Sequence, residues 1–346
     1  ANFKTFNEFF KKAVDFFRSF VGLEKLDFIA CDLHPLYNTT NFAEKLAKKL
    51  DCRLVKVQHH FAHAMSVMAE RGLDKAVAIA VDGVGYGFDG RVWGGEVLLV
   101  DFEKGEFRRI GRLENFKLIG GDLAVHYPLR VLFSLVYKEL GDYDILKPYE
   151  RFLRKGESFE LFAKAYDSGV ESSSLGRIFD AVSAMLEVCF ERTYEGEPAM
   201  KLESIVEPVD TTIEPVIESV EENCIYTNPY VSEDWKARKG EVKVLRVAPM
   251  ICSLLEEFQN ARDKEAIKGK IAYKIIDYLA RGFAEIVKQC RLDLPVVMSG
   301  GVTFNSYFTP LVERYLGGVY LNEKVPAGDN GISFGQIYVG RFLDDF

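Results

Sequence analysis

Short apolar runs alternate with helical periodicities along this chain, and the order of the two predicts a layered α/β protein. Leu26 to Leu33 (LDFIACDL) reads as a strand ending in a carboxylate, followed by a helix from Asn41 to Leu50. Arg53 to Val57 reads as a second strand, running straight into His59 and a helix to about Arg71. A new unit then opens. Ala76 to Val81 (AVAIAV) is a buried strand, Asp82 to Gly90 a turn, Val92 to Asp101 a long strand and Phe107 to Glu114 a third, together an antiparallel meander. Helices are predicted over Leu123 to Leu140, around Glu150 to Tyr166, and from Leu175 to Arg192 behind the Ser172-Ser173-Ser174 capping run. A long helix covers about Ala261 to Cys290. After it come a strand (Leu294 to Met298), Gly300-Gly301, a helix from about Asn305, a strand (Gly318 to Leu321) and a last helix from Asn330. This closing order echoes residues 26 to 71, so the pattern predicts two lobes: a partial first lobe, 1–75, and a second, 76–346. At the N-terminus Phe6, Phe9, Phe10, Phe16, Phe17 and Phe20 recur at helical spacing, which predicts a core-facing helix.

Composition narrows the class. The 346 residues hold 44 Lys+Arg against 52 Asp+Glu, a formal charge of −8, and 48% are apolar. Those values belong to a folded globular chain, and at ~150 residues per domain they fit two lobes. The acidic balance argues against a nucleic-acid partner, which needs a basic face. No apolar run approaches the ~18 residues of a membrane span. Six scattered cysteines (Cys31, Cys52, Cys189, Cys224, Cys252, Cys290), with no C-x-x-C, read as reduced thiols of a cytoplasmic protein.

Three of the five histidines fall within His59-His60-Phe61-Ala62-His63. On a helix His59 and His63 are one turn apart, about 6 Å along the axis and on one face, a spacing at which two imidazoles converge on one metal ion. His60 points about 100° away, toward a supporting or substrate-facing role. The plain alternative is a helix start with chance histidines. Asp82-Gly83-Val84-Gly85-Tyr86-Gly87-Phe88-Asp89-Gly90 satisfies G-x-G-x-x-G but precedes a strand rather than a helix, so it is no dinucleotide fingerprint. A Gly-rich hairpin bringing N–H groups to a phosphate, with Asp82 facing a metal, fits it, as does a structural turn. Ser299-Gly300-Gly301-Val302-Thr303-Phe304-Asn305 leaves a buried strand where open α/β sheets bind ligands, and Asn305 offers both a donor and an acceptor. Asp329 is an N-cap by default, yet its place also puts a carboxylate at the sheet's mouth. Leu175-Gly176-Arg177-Ile178-Phe179-Asp180 sets Asp180 one turn after Gly176, suited to a ribose diol. Zincin, kinase, P-loop and serine-hydrolase motifs do not occur.

The set of motifs resembles the C-terminal domain of the hydrogenase maturation carbamoyltransferase family, HypF. The resemblance is carried by ACDLHPLY (Ala30 to Tyr37), VQHHFAH (Val57 to His63), VDGVGYGFDGRVWGGEVLLVD (Val81 to Asp101) and GGDLAVHYPLR (Gly120 to Arg130). SSLGRIFDAVSAML (Ser173 to Leu186), YEGEPAM (Tyr194 to Met200), SGGVTFN (Ser299 to Asn305) and PAGDNGISFGQ (Pro326 to Gln336) complete it. It implies a two-lobed actin/hexokinase/Hsp70-like (ribonuclease H-like) fold whose first lobe lacks its N-terminal strands. It implies a divalent metal, zinc or iron, on His59, His63, Asp82 and Asp329, with His60 and Asp82 in the chemistry. It also implies ATP or carbamoyl-adenylate at Gly83, Gly85, Gly176, Asp180, Gly196, Gly300, Gly301 and Asn305, with magnesium a further candidate. The family passes carbamoyl from carbamoyl-adenylate, made from carbamoyl phosphate and ATP, to the C-terminal cysteine of the partner HypE. Full-length members carry acylphosphatase and YrdC-like domains before this region, here to be supplied in cis or in trans. The alternatives are a non-catalytic nucleotide-binding scaffold and a threonylcarbamoyl transferase acting on tRNA adenosine. Two positions depart from the family: a histidine is absent from Ala272 to Gly282, and Tyr127 replaces an acid.

The charge has a local origin. Nine acids and no Lys or Arg lie between Lys201 and Lys236, so −8 − (−9) leaves +1 for the rest. With Pro208, Pro215 and Pro229, this stretch, about 202–245, reads as a peripheral insertion serving solubility or the docking of a basic partner.

Overall fold

The computed structural model describes residues 5–23, 25–227, 230 and 237–342. A helix, α1 (Lys11–Phe20), precedes the first βαβα unit: β1 (Phe28–Asp32), α2 (Asn38–Leu50), β2 (Arg53–Val57) and α3 (His59–Arg71). Strands β1 and β2 pair in parallel. Gln58 starts α3 with extended backbone, its side-chain carboxamide oxygen accepting from the N–H groups of His60 and Phe61. Gly72, left-handed at φ 64°, ends it.

The larger sheet opens with β3 (Lys75–Tyr86), β4 (Val92–Asp101), β5 (Glu106–Leu113) and β6 (Phe116–Leu118). Helices α4 (Asp122–His126), α5 (Leu129–Leu140) and α6 (Phe159–Ala165) follow, then β7 (Val170–Ser172), α7 (Leu175–Met185) and α8 (Glu197–Ser204). Next are β8 (Ile217–Thr227), β9 (Ala237–Leu245), α9 (Ala248–Asn260) and α10 (Glu265–Gln289). The described chain closes with β10 (Val296–Ser299), α11 (Phe308–Leu316) and α12 (Ile332–Tyr338). The strand order is β10-β3-β4-β5-β8-β9, with β7 bridging β4 and β6. β10 runs parallel to β3, while β3, β4 and β5 form the expected antiparallel meander.

Both faces of β3 are buried, and its alternation says against what. Val77, Ile79 and Val81 enter the core made with α5, α7, α9 and α10. Ala76, Ala78 and Ala80 face Phe61, Ala64, Met65 and Met68 of α3. Large residues pack the helical side; alanines let α3 lie close on the other. The third helix is thus part of the main sheet's packing and carries its histidines onto that sheet.

Several boundaries differ from expectation for local reasons. Residues 123–140 form two helices, because Tyr127 precedes Pro128 and is held extended (φ −123°, ψ 89°). The long helix expected after 261 is present as α10, preceded by the separate helix α9, and the helix from Leu175 stops at Met185. Gly318 to Leu321 makes only a single bridge, Val297 with Tyr320. The acidic stretch is no loose appendage. β8 and β9 extend the sheet from β5, and Glu222, Glu218 and Glu214 are paired with Arg112, Arg246 and Arg281. Glu233 and Asp234 lie outside the described residues. The N-terminal helix is not core-facing: α1 buries none of its residues, and Phe9, Phe16, Phe17 and Phe20 are exposed. No described helix is long and apolar enough to cross a membrane.

The last helix, α12, crosses α3 at Gly335, where a side-chain carbon would overlap the Ala62 carbonyl oxygen. Gly335→Ala is therefore expected to separate the two helices and destabilise the fold by about 1–3 kcal/mol, the usual cost of overpacking. Thermal denaturation checks this; an unchanged melting temperature would mean that the crossing is not tight.

Candidate metal and nucleotide site

Three chain segments converge at the carboxyl end of β3. His59 and His63 come from the first turns of α3, Asp82 from β3, and Asp329 from the loop before α12. One ligand atom from each lies within 4.8 Å of all the others. His59 Nε2 is 3.3 Å from Asp82 Oδ2 and 3.5 Å from Asp329 Oδ1, while His63 Nε2 is 3.6 Å from Asp329 Oδ1. His59, His63 and Asp82 are buried; the side chain of Asp329 is largely open to solvent.

This donor set fits a divalent ion. Two imidazoles and two carboxylates suit zinc or iron, and both ring nitrogens of buried His63 have no hydrogen-bond partner among the described residues. Asp32, at the end of β1, is 2.9 Å from His59 Nδ1, which leaves Nε2 to face the cluster. Burial alone would lower the His59 pKa, but Asp32, Asp329 and Asp82 override it and hold the imidazole well above its ordinary value. Burial likewise opposes ionised Asp82, and the neighbouring His59 and His63 outweigh it, keeping the carboxyl well below the usual range. The nearby imidazoles of His59 and His63 hold Asp329 low as well.

The glycines hold this geometry. Gly300 has φ 107°, a conformation L side chains avoid, and a side-chain carbon there would overlap the Val81 carbonyl oxygen. The tight turn lets the Gly301 N–H donate to Asp82 Oδ1 at 3.0 Å. Gly85 sits against the His59 and His60 rings, with no room for a side chain. Gly176 brings the start of α7 onto Gly83, and Ser174 Oγ donates to the Gly83 carbonyl at 2.5 Å. The Asp82–Gly90 segment, expected as a turn, is strand as far as Tyr86, with a register shift between Val81 and Gly85.

Other expected residues are engaged within the protein. His60 is fully buried, its Nδ1 3.2 Å from Gln58 Nε2; burial, then neighbouring His59, push its pKa well down. Asn305 Oδ1 accepts from the N–H groups of Tyr307 and Phe308, and its Nδ2 donates to Glu203. Asp180 is buried beside Arg177. Gly196 opens α8 at φ 77°, apart from the four-donor cluster.

Sequence reasoning gave no role to Asp32, Gln58 or Glu70. Asp32 was visible as a strand-ending carboxylate and Gln58 as the residue before the histidines. Glu70 left no local signal, because its partners lie some 250 positions away. It accepts from the N–H groups of Glu323, Lys324 and Val325, fixing the loop that carries Asp329. Ser299, Asn322 and Ser66 brace the same loop.

A paired-lobe α/β fold with a histidine–carboxylate cluster beside glycine turns defines the Kae1-like class, and comparison with known proteins agrees. Residues 78–336 match the family described as carbamoyltransferase, Kae1-like domain, second subdomain, and residues 1–70 match the HypF Kae1-like domain. The chain belongs to the HypF carbamoyltransferase family. It is 36% identical over 342 residues to a probable carbamoyltransferase HypF of Methanocaldococcus jannaschii, covering 95% of this chain and 41% of that protein. It is 33% identical over 325 residues to carbamoyltransferase HypF of Rhodobacter capsulatus, covering 90% of this chain and 39% of that one. The crystal structure of T. kodakarensis HypF superposes with a TM-score of 0.80 at 35% identity, over 98% of this chain and 43% of that one. A full-length HypF in a phosphate- and nucleotide-bound form gives 0.79 at 30% identity, over 100% and 42%. The chain thus spans less than half the length of these relatives.

Two predictions follow from the geometry. His59, with its folded pKa raised, carries a proton at pH 7 that a metal ion must displace. Zinc binding should therefore release about one proton and tighten as pH rises through neutrality. Calorimetry in buffers of different ionisation enthalpy measures the proton count; no release would contradict a protonated His59. Glu70→Ala should free the Asp329 loop and weaken metal binding about 10-fold or more without unfolding the protein, as seen by chelator competition. Unchanged affinity would show that the loop needs no clamp.

Proposed function

We propose that the chain is a metal- and adenine-nucleotide-binding carbamoyltransferase domain of [NiFe]-hydrogenase maturation. It transfers carbamoyl from carbamoyl-adenylate, formed from carbamoyl phosphate and ATP, to the C-terminal cysteine of a HypE-type partner. The observation that carries the reading is the convergence of His59, His63, Asp82 and Asp329 beside the Gly83 turn. A divalent ion on those four residues supplies a Lewis acid for a carbonyl or phosphoryl oxygen. Asp32 orients His59, the Gly301 N–H orients Asp82, and Glu70 orients the Asp329 loop. Gly83, Gly85, Gly176, Gly196, Gly300, Gly301 and Asn305 belong to the nucleotide side of this reading, and buried Asp180 joins it only through its neighbour Arg177. Neutral, buried His60 fixes the imidazole packing rather than carrying charge. The bond changes are simple: a thiolate sulfur–carbon bond forms, the carbamoyl carbon–oxygen bond to the adenylate breaks, and AMP leaves.

The nucleophile is assigned to the partner because no thiol here is activated. Burial raises all six cysteines, Cys31 to about 11 and Cys252 to about 12, leaving little thiolate at neutral pH. The direct test incubates the chain with carbamoyl-adenylate and a HypE-type protein, then measures the mass of the partner's C-terminal peptide. Carbamoyl on the terminal cysteine is expected, lost in His63→Ala. An unmodified partner, with nucleotide and metal bound to the chain, would favour a scaffold.

A further inference from the structure

Arg177 lies in the first turn of α7, and its N–H donates to the N-cap hydroxyl of Ser174. The residue is only 5% exposed, and its Nε and Nη1 have no hydrogen-bond partner among the described residues. The nearest opposite charge is Asp180 Oδ2, 3.0 Å from Nη2, yet neither Asp180 oxygen is in a hydrogen bond. A buried ion pair is sound when its remaining donors and acceptors are met. Here they are not. Burial pulls the Arg177 pKa below the ordinary guanidinium value and pushes Asp180 above the ordinary carboxyl value, so neither fully compensates the other.

The guanidinium sits at a defined place. Nη2 is 3.6 Å from where a side-chain carbon on Gly83 would lie, so the group that carries the unpartnered Nε and Nη1 reaches the glycine turn beside the metal cluster. Gly176 presses the start of α7 against the same turn; a side-chain carbon there would be 2.9 Å from Gly83 Cα. The positive end of an eleven-residue helix, a bare glycine and an under-bonded guanidinium meet at one point. Helix dipole and planar donor fork both favour an anion with several oxygens. Asp180, 1% exposed and paired with Nη2, is set to hold Arg177 rather than to touch a ligand.

We propose that Arg177 is the phosphoryl-binding side chain of the site. It receives the α-phosphoryl group of bound adenylate against the Gly83 turn, with Asp180 as the counter-charge that positions it. This rests on the nucleotide reading above. The same guanidinium then meets the negative charge that stays on AMP when the carbamoyl carbon–oxygen bond breaks.

Calorimetric titration of the full chain with AMP, adenosine and inorganic phosphate tests the assignment. Wild type should prefer AMP to adenosine by about tenfold or more, the scale of a hydrogen bond to a charged group. Arg177→Met should bind adenosine as wild type does and lose that preference. Because this variant strands Asp180, the double variant Arg177→Met/Asp180→Asn removes both charges and should behave likewise, with thermal melting confirming its fold. Inorganic phosphate should compete with AMP in wild type and not in the variants. An AMP preference surviving in the folded double variant would overturn the role of Arg177. Wild type binding neither AMP nor adenosine would overturn the nucleotide reading, and the proposal with it.

Discussion

Burying the carboxylate of Asp82 costs several kcal/mol unless charge or donors of opposite sign meet it, and the centre of this structure is built from the groups that do. The Gly301 N–H supplies one charge-assisted hydrogen bond, worth roughly 1.5–3 kcal/mol. The rest must come from His59 and His63. Yet the same place also holds Asp329 and, behind His59, Asp32. Three carboxylates against two imidazoles give −3 + 2 = −1 even with both rings protonated, so the protein's own groups leave the cluster negative. A divalent cation in place of the ring protons puts two compensating charges on one ion within reach of all four donors, which is the physical reason for reading the cluster as a metal site.

Bringing those groups together requires a helix to pack directly against small residues of the sheet. The alanines of β3 open one face to α3, and Gly85 lets the His59 and His60 rings rest on the strand. Gly335 lets α12 cross α3, which delivers the Asp329 loop from the far end of the chain. Each contact is short-range and steric, yet the sum is electrostatic: the packing decides which charges share a site. The geometry of the four-donor cluster and the stability of the fold accordingly depend on the same residues.

The strand-and-helix order of residues 26 to 113 was legible because its hydrophobic periods are clean and each element is bounded by a turn residue. His59 and His63 were legible from helical spacing, and Asp82 from its place at the end of a buried strand. The divided helix at Tyr127-Pro128 was a missed local signal. The sheet-forming role of β8 and β9 was hidden because the partner strand, β5, lies more than a hundred residues away and the exposed faces are acidic. Glu70 and the Arg177–Asp180 pair were hidden for a different reason. Their meaning depends on which donors and acceptors remain unmet after folding, which no spacing rule reveals. For Asn305 a donor–acceptor side chain was visible, but its engagement with Glu203 and the start of α11 was not.

X-ray absorption spectroscopy on the zinc-loaded chain reads the central claim most directly, because it reports the ligand atoms themselves. The account predicts a first shell of nitrogen and oxygen only, at ~2.0–2.2 Å, with the outer-shell scattering of two imidazole rings and no sulfur. A shell at ~2.3 Å, the zinc–sulfur distance, or a spectrum without imidazole scattering would contradict it.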